Sequence, residues 1–131
     1  MKHRYVRSLR DVEGYHPANH TGTTNHRLIS AESVGAQQIE LLHGTIAPGE
    51  GASRHAHPGI EQVCYILEGE ADLEIAGETS RVGPGDCCFF PADVMHRLVV
   101  TGSQPLKVLV MYTPPYGEDP SKVIRDGQAL P

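Results

Sequence analysis

Three histidines carry the chemistry this chain offers. His55 and His57 stand two apart, and in an extended strand such residues point to one face, so two imidazoles lie side by side. Gly49 and Gly51 precede the pair and Pro58-Gly59 follows it, which places it where a strand meets a bend. His96 comes shortly after Pro91, at the start of another strand. Imidazole suits zinc, iron, nickel, copper and manganese, and three such donors leave open positions for water or substrate. The spacing therefore points to one bound divalent metal ion. Other histidines are read more plainly. His16, His20 and His26 fall in a polar N-terminal stretch and are expected as exposed loop residues. His43 lies in a strand whose alternation leaves its face open.

The elements that must hold these side chains are short and regularly punctuated. Strands are expected at Ile39 to Ile46, Gln62 to Leu67, Ala71 to Ile75, Thr79 to Val82, Cys87 to Phe90, Arg97 to Val100 and Leu106 to Tyr112. Ala76-Gly77-Glu78 turns one of these into a hairpin, and Gly83-Pro84-Gly85-Asp86 is a strong turn. The 14 glycines and 10 prolines among 131 residues fit an all-β fold, a jelly roll or small barrel of about eight strands. Three parts are expected: an N-terminal polar arm over 1–37 with one short strand near His26 to Ser30, a barrel over 38–115, and an extended tail over 116–131. Phe89 and Phe90 are expected to pack in the core and at the barrel mouth. Arg27 and Tyr65 are read as packing or surface residues that could also touch a substrate.

A net charge of -5 argues against nucleic acid as a partner, and no apolar run reaches membrane-spanning length. The charged start has no apolar stretch of the secretory kind, so a soluble, cytoplasmic protein is expected. The three cysteines, Cys64, Cys87 and Cys88, have neither CxxC spacing nor an adjacent base and are read as packing thiols.

Two longer patterns bear a family resemblance. Gly49-x5-His55-x-His57-x4-Gln62-x6-Gly69 resembles the first motif of the cupins, and Gly85-x5-Pro91-x4-His96 resembles the second. The resemblance implies a double-stranded β-helix, or jelly-roll barrel, with His55, His57 and His96 as metal ligands. It also implies a homodimer. The family's usual fourth ligand is a glutamate. Counting forward from His57, Glu61 falls within the spacing that cupins allow; counting back from Gly69, Gln62 takes the position. Gln62 is preferred, because a one-residue slip would turn the whole strand over. In that register Gln62, Cys64 and Ile66 face inward, and Glu61 faces out unless a bulge intervenes. A neutral amide leaves the ion's full charge in place, which favours Lewis-acid work on a small oxygenated molecule. The expectation is thus a metal-dependent lyase or isomerase using Zn, Fe, Ni or Mn. A dioxygenase with Fe(II) or another redox metal and a non-catalytic small-molecule-binding cupin are the alternatives. Glu61 and His43 are the only readable general-base candidates.

Overall fold

The computed structural model describes residues 3–126. Its strands are β1 (Gly14–Tyr15), β2 (Thr23–Ile29), β3 (Glu40–Ile46), β4 (Gly51–Ala56), β5 (Glu61–Glu68), β6 (Glu70–Ile75), β7 (Glu78–Val82), β8 (Cys87–Phe90), β9 (His96–Thr101), β10 (Leu106–Thr113) and β11 (Ile124–Arg125). They form two antiparallel sheets. One runs β1-β2-β3-β10-β5-β8 and the other β11-β4-β9-β6-β7. This is a jelly-roll barrel. Each strand expected between residues 39 and 112 is present, with ends within one or two residues.

Strict alternation explains why these segments are legible. On β3, residues 40, 42, 44 and 46 are buried and those between are half-buried. On β10 the inward set is Leu106, Val108, Val110 and Tyr112, and on β5 it is Gln62, Cys64 and Ile66. Such period-two burial is what a sheet with one face on the core requires. The turn after β5 depends on Gly69, whose φ is +87° and where a Cβ would meet the Pro105 carbonyl at 2.5 Å. Two of the three thiols are packing groups as expected; Cys87 instead alternates outward on β8 and is exposed. Cys64 and Cys88 are buried opposite each other on β5 and β8, and burial raises the Cys88 thiol to about 11.

Both ends of the chain differ from expectation. The stretch read as a polar arm adds β1 and the short helix α1 (Ala31–Val34), and the one strand expected in it, near His26 to Ser30, is present as the longer β2, which starts at Thr23 and pairs along β3. Its inward residues include Thr23 and Asn25, so no apolar period marks the strand. Asn25 instead fits against a bare backbone: a Cβ at Gly44 would stand 2.8 Å from its Oδ1. Past residue 116, Tyr116 and Ile124 are buried in the core and β11 pairs with β4, where an extended tail was expected. Positions 1–2 and 127–131 of those two stretches lie outside the described residues. Phe90 is buried as expected, but Phe89 alternates outward and is half exposed. Arg27, half-buried, pairs with the buried Glu40 at 3.1 Å and stacks on Tyr15. Tyr65 is exposed on the outer face.

Candidate metal centre

The triad is assembled from two strands that pair directly. β4 and β9 place His55 opposite His96. Inward alternation from Ala52 would point residue 54 into the barrel, but the β4–β9 register shifts between Ala52 and His55. That irregularity re-aims the strand so that His55 turns inward. β4 approaches β9 so closely that a Cβ on Gly51 would lie 2.0 Å from the Leu98 carbonyl oxygen, so glycine is required there. His57 lies just past the end of β4, in the bend.

The three imidazoles come together as the spacing predicts. Their available donor atoms lie within 4.8 Å of one another. Ring centroids are 4.4 Å apart for His55 and His96, 4.9 Å for His55 and His57, and 5.7 Å for His57 and His96. All three are buried. Each Nδ1 meets a backbone carbonyl: Ser53 at 2.6 Å from His55, Lys122 at 3.0 Å from His57, and Val94 at 3.3 Å from His96. A carbonyl can only accept, so each Nδ1 carries the proton and each Nε2 keeps its lone pair. Holding the far nitrogen in this way is how proteins orient imidazole ligands.

Electrostatics agree with neutral rings. Burial is the largest cause lowering all three, and the neighbouring histidines push His57 and His96 down further. His57 falls to about 4, and His96 is also held far below the ordinary range. His57 Nε2 and Gln62 Oε1 are buried without a hydrogen-bond partner. Buried orphan acceptors of this kind are rare and costly in folded proteins, and an ion between them would satisfy both. The residues present therefore fit a divalent metal.

The remaining candidates separate by face. Gln62 is buried and lines the same cavity as His55 and His96, whereas Glu61 is exposed at the start of β5. The register irregularity between β5 and β10 sits at Lys107/Val108, the far end of the strand, so no bulge turns Glu61 inward. His43 alternates away from the cavity on β3 and pairs across the sheet with His26 and Leu109. Neither general-base candidate stands with the triad. His16 and His26 are tied to the carbonyls of Thr23 and Val12.

His20 is the residue that sequence reasoning missed. It is half-buried rather than exposed, lines the cavity with Gln62, His55 and His96, and its ring centroid lies 6.0 Å from that of His55. Burial, then the neighbouring His55 and His57, lowers it to about 4. No spacing signal links it to the triad, because a β-bridge to Ala52 brings it there from a distant part of the chain. The rest of the cavity wall is mainly apolar, including Leu42, Ile46, Phe90, Leu98, Val108 and Val110. Among the described residues no lysine or arginine lines it.

Comparison with known proteins agrees with this architecture. Residues 42–112 match the Cupin domain family (Cupin_2), more than half of the chain, so the chain belongs to the cupins. The tetracenomycin polyketide synthase protein TcmJ of Streptomyces glaucescens is 30% identical over 98 residues, which are 75% of this chain and 66% of that protein. The chain thus spans just under two thirds of that relative's length. The oxalate-binding protein of Thermotoga maritima is 27% identical over 84 residues, 64% of this chain and 69% of that one. Among solved structures, the polyketide cyclase RemF from Streptomyces resistomycificus superposes with a TM-score of 0.78 at 26% identity, covering 98% of this chain and 87% of that one. No helix among the described residues is long and apolar enough to cross a membrane.

Proposed function

We propose that this cupin is an enzyme that holds one divalent ion (zinc, iron, nickel or manganese) on His55, His57, His96 and Gln62. Its substrate in this reading is a small, uncharged, enolisable carbonyl compound, taken through proton transfer, elimination or ring closure. The observation that carries the proposal is the convergence of three neutral histidines on one another, each with Nδ1 held by a backbone carbonyl, beside a mainly apolar cavity that His55, His96 and Gln62 line. When bound, the ion acts as a Lewis acid on a carbonyl or hydroxyl oxygen.

The chain's own residues decide which substrate suits that chemistry. The described cavity lining has no cationic side chain to pair with a second carboxylate, so a dicarboxylate such as oxalate is poorly matched. Phe90, Leu98, Val108 and Val110 favour an apolar body beside the reacting oxygen and keep water from it. Gln62 adds a neutral donor, so the positive charge at the site is not offset by a carboxylate. Similarity to TcmJ and to the polyketide cyclase RemF supports a poly-carbonyl substrate over oxalate.

Metal analysis of the purified protein, followed by incubation with a 1,3-dicarbonyl panel and with oxalate, tests the reading. The expected result is one first-row divalent ion per chain and conversion of the dicarbonyl without oxygen uptake. Absence of bound metal after mild purification would overturn it, and oxygen consumption would replace it with the dioxygenase reading.

A further inference from the structure

The N-terminal segment reaches the site at one point, and that point is an imidazole. Residues 19–21 run beside the first half of β4, on the edge whose second half pairs with β11: Ser53 N–H donates to the Asn19 carbonyl at 2.8 Å, and Thr21 N–H donates to the Gly51 carbonyl at 2.8 Å. Between them His20 bridges Ala52, a buried residue whose side chain faces the cavity. Directly paired residues on neighbouring strands share a face, so His20 also points inward. Asn19, at φ +66°, makes the sharp bend that starts this pairing.

The ring of His20 is prepared much as the triad rings are. Its Nδ1 lies 3.5 Å from Thr23 Oγ1, whose own proton is donated to the Thr21 carbonyl at 2.9 Å. Thr23 Oγ1 is therefore an acceptor toward His20, which puts the proton on Nδ1 and leaves the Nε2 lone pair for the cavity. The contact is long, and no other hydrogen bond to the ring is found among the described residues, so only weak hydrogen bonding fixes the ring where it stands. With metal–nitrogen bonds of about 2.1 Å, ring centroids on one ion stand from about 4.5 Å apart at right angles to about 6.4 Å when opposite. The separation of 6.0 Å between His20 and His55 falls inside that span. As placed, His20 stands outside the 4.8 Å cluster of the triad, so coordination requires its ring to turn toward the ion.

We propose that His20 is a further imidazole ligand of the bound ion, supplied by the N-terminal segment from outside both histidine motifs. The inference rests on the reading that a divalent ion occupies the triad. It makes the segment part of the metal site and leaves one fewer position for substrate or water.

Cobalt(II) loaded into the whole chain tests this without any substrate. Each Nδ1–H of a coordinated histidine gives a hyperfine-shifted, solvent-exchangeable proton signal, so wild type is expected to show four and His20→Ala three. In parallel, competition with a chromophoric chelator should show zinc held about tenfold or more weakly by His20→Ala, on the scale seen when groups around a metal are removed. His20→Gln should behave as His20→Ala does, and the thermal melts of all metal-free forms should coincide. Unchanged zinc affinity together with an unchanged cobalt spectrum in His20→Ala would overturn this inference and leave the triad reading intact. Failure of wild type to take up cobalt or zinc would overturn both.

Discussion

The two ends of the barrel interior are built from the same strands and do opposite work. β5 enters the interior with Gln62 and leaves it with Ile66; β9 runs from His96 through Leu98 to Val100. β10 travels the other way, from Leu106 and Val108 to Tyr112, which pairs with Gln62. At one end the inward side chains are polar, partly without partners, and aimed at a common point. At the other, Ile66, Leu106, Val100 and Ala71 are almost fully buried and carry no side-chain polar atom. Burial of apolar area stabilises, whereas burial of unpaired imidazoles and amides costs free energy. The apolar end therefore holds the fold, and the histidine end is tolerated by it.

That division makes its strongest prediction at the apolar end. Leu106→Ala removes a fully buried side chain where the strands leave no slack, and should lower stability by about 2–5 kcal/mol in urea unfolding. Zinc affinity of the molecules that remain folded should be unchanged. A large loss of affinity in that variant would mean that the two ends are mechanically coupled and the division is false.

His96→Ala should do the reverse. It removes one of three converging donors and is expected to weaken zinc binding by about a hundredfold or more, read by chelator competition. The unfolding midpoint of the metal-free protein should barely move, since the lost group is a buried imidazole rather than core hydrocarbon. Retained metal stoichiometry would remove His96 from the ligand set.

A third prediction uses pH to separate the ends. In the unfolded chain a histidine titrates near 6.5, whereas in the folded metal-free protein burial lowers His57 to about 4 and pushes His55 and His96 down as well. Between those values the unfolded chain binds protons that the folded one refuses. Stability of the metal-free protein is thus intact above about pH 6.5 and falls as pH drops, by about 1 kcal/mol per pH unit for each such histidine; the His57 share is lost by about pH 4, whereas that of His96, held lower, goes on falling below it. Urea titrations at pH 7.5, 6 and 5 measure the slope. His96→Ala should flatten it, and Leu106→Ala should shift the whole curve down without changing its shape. Equal slopes in wild type and His96→Ala would break the assignment.

How much of this was legible in the sequence follows the same divide. Wherever a strand buries hydrocarbon, as from Leu106 to Tyr112 or Ala71 to Ile75, period two marks it and its register. The triad was legible because the two motifs fixed it before any fold was known. What stayed hidden buries polar groups or depends on single anchors. Only the second half of β2 was expected, near residues 26–30; its first half turns Thr23 and Asn25 inward, and polar residues on a core face do not read as a strand. The C-terminal stretch is held by the scattered apolar anchors Tyr116, Val123 and Ile124, by the two-residue β11 and by backbone contacts such as the Lys122 carbonyl on His57, none of which leaves a hydrophobic period. His20 arrives through one bridge between residues far apart in the chain, a pairing that only the closed barrel creates. Sequence separation hid it, not its chemistry.

The smallest expected effects test the inside-outside register on which the fourth ligand depends. Gln62 and Glu61 are neighbours on β5, and alternation sends one into the cavity and the other to solvent. Gln62→Glu replaces a neutral amide with an anionic oxygen donor beside a dication, so zinc should bind about tenfold more tightly, tempered by the burial of a carboxylate. Glu61→Gln alters an exposed side chain and should leave affinity unchanged, as should His43→Ala on the outer face of β3. If Glu61→Gln weakens metal binding while Gln62→Glu has no effect, β5 must slip or bulge when the ion binds. The carboxylate would then be the inner donor and the site would lose the undiminished charge that favours Lewis-acid chemistry. Because the two substitutions exchange amide and acid at adjacent positions, their difference isolates the face each residue occupies and is insensitive to a general change in net charge.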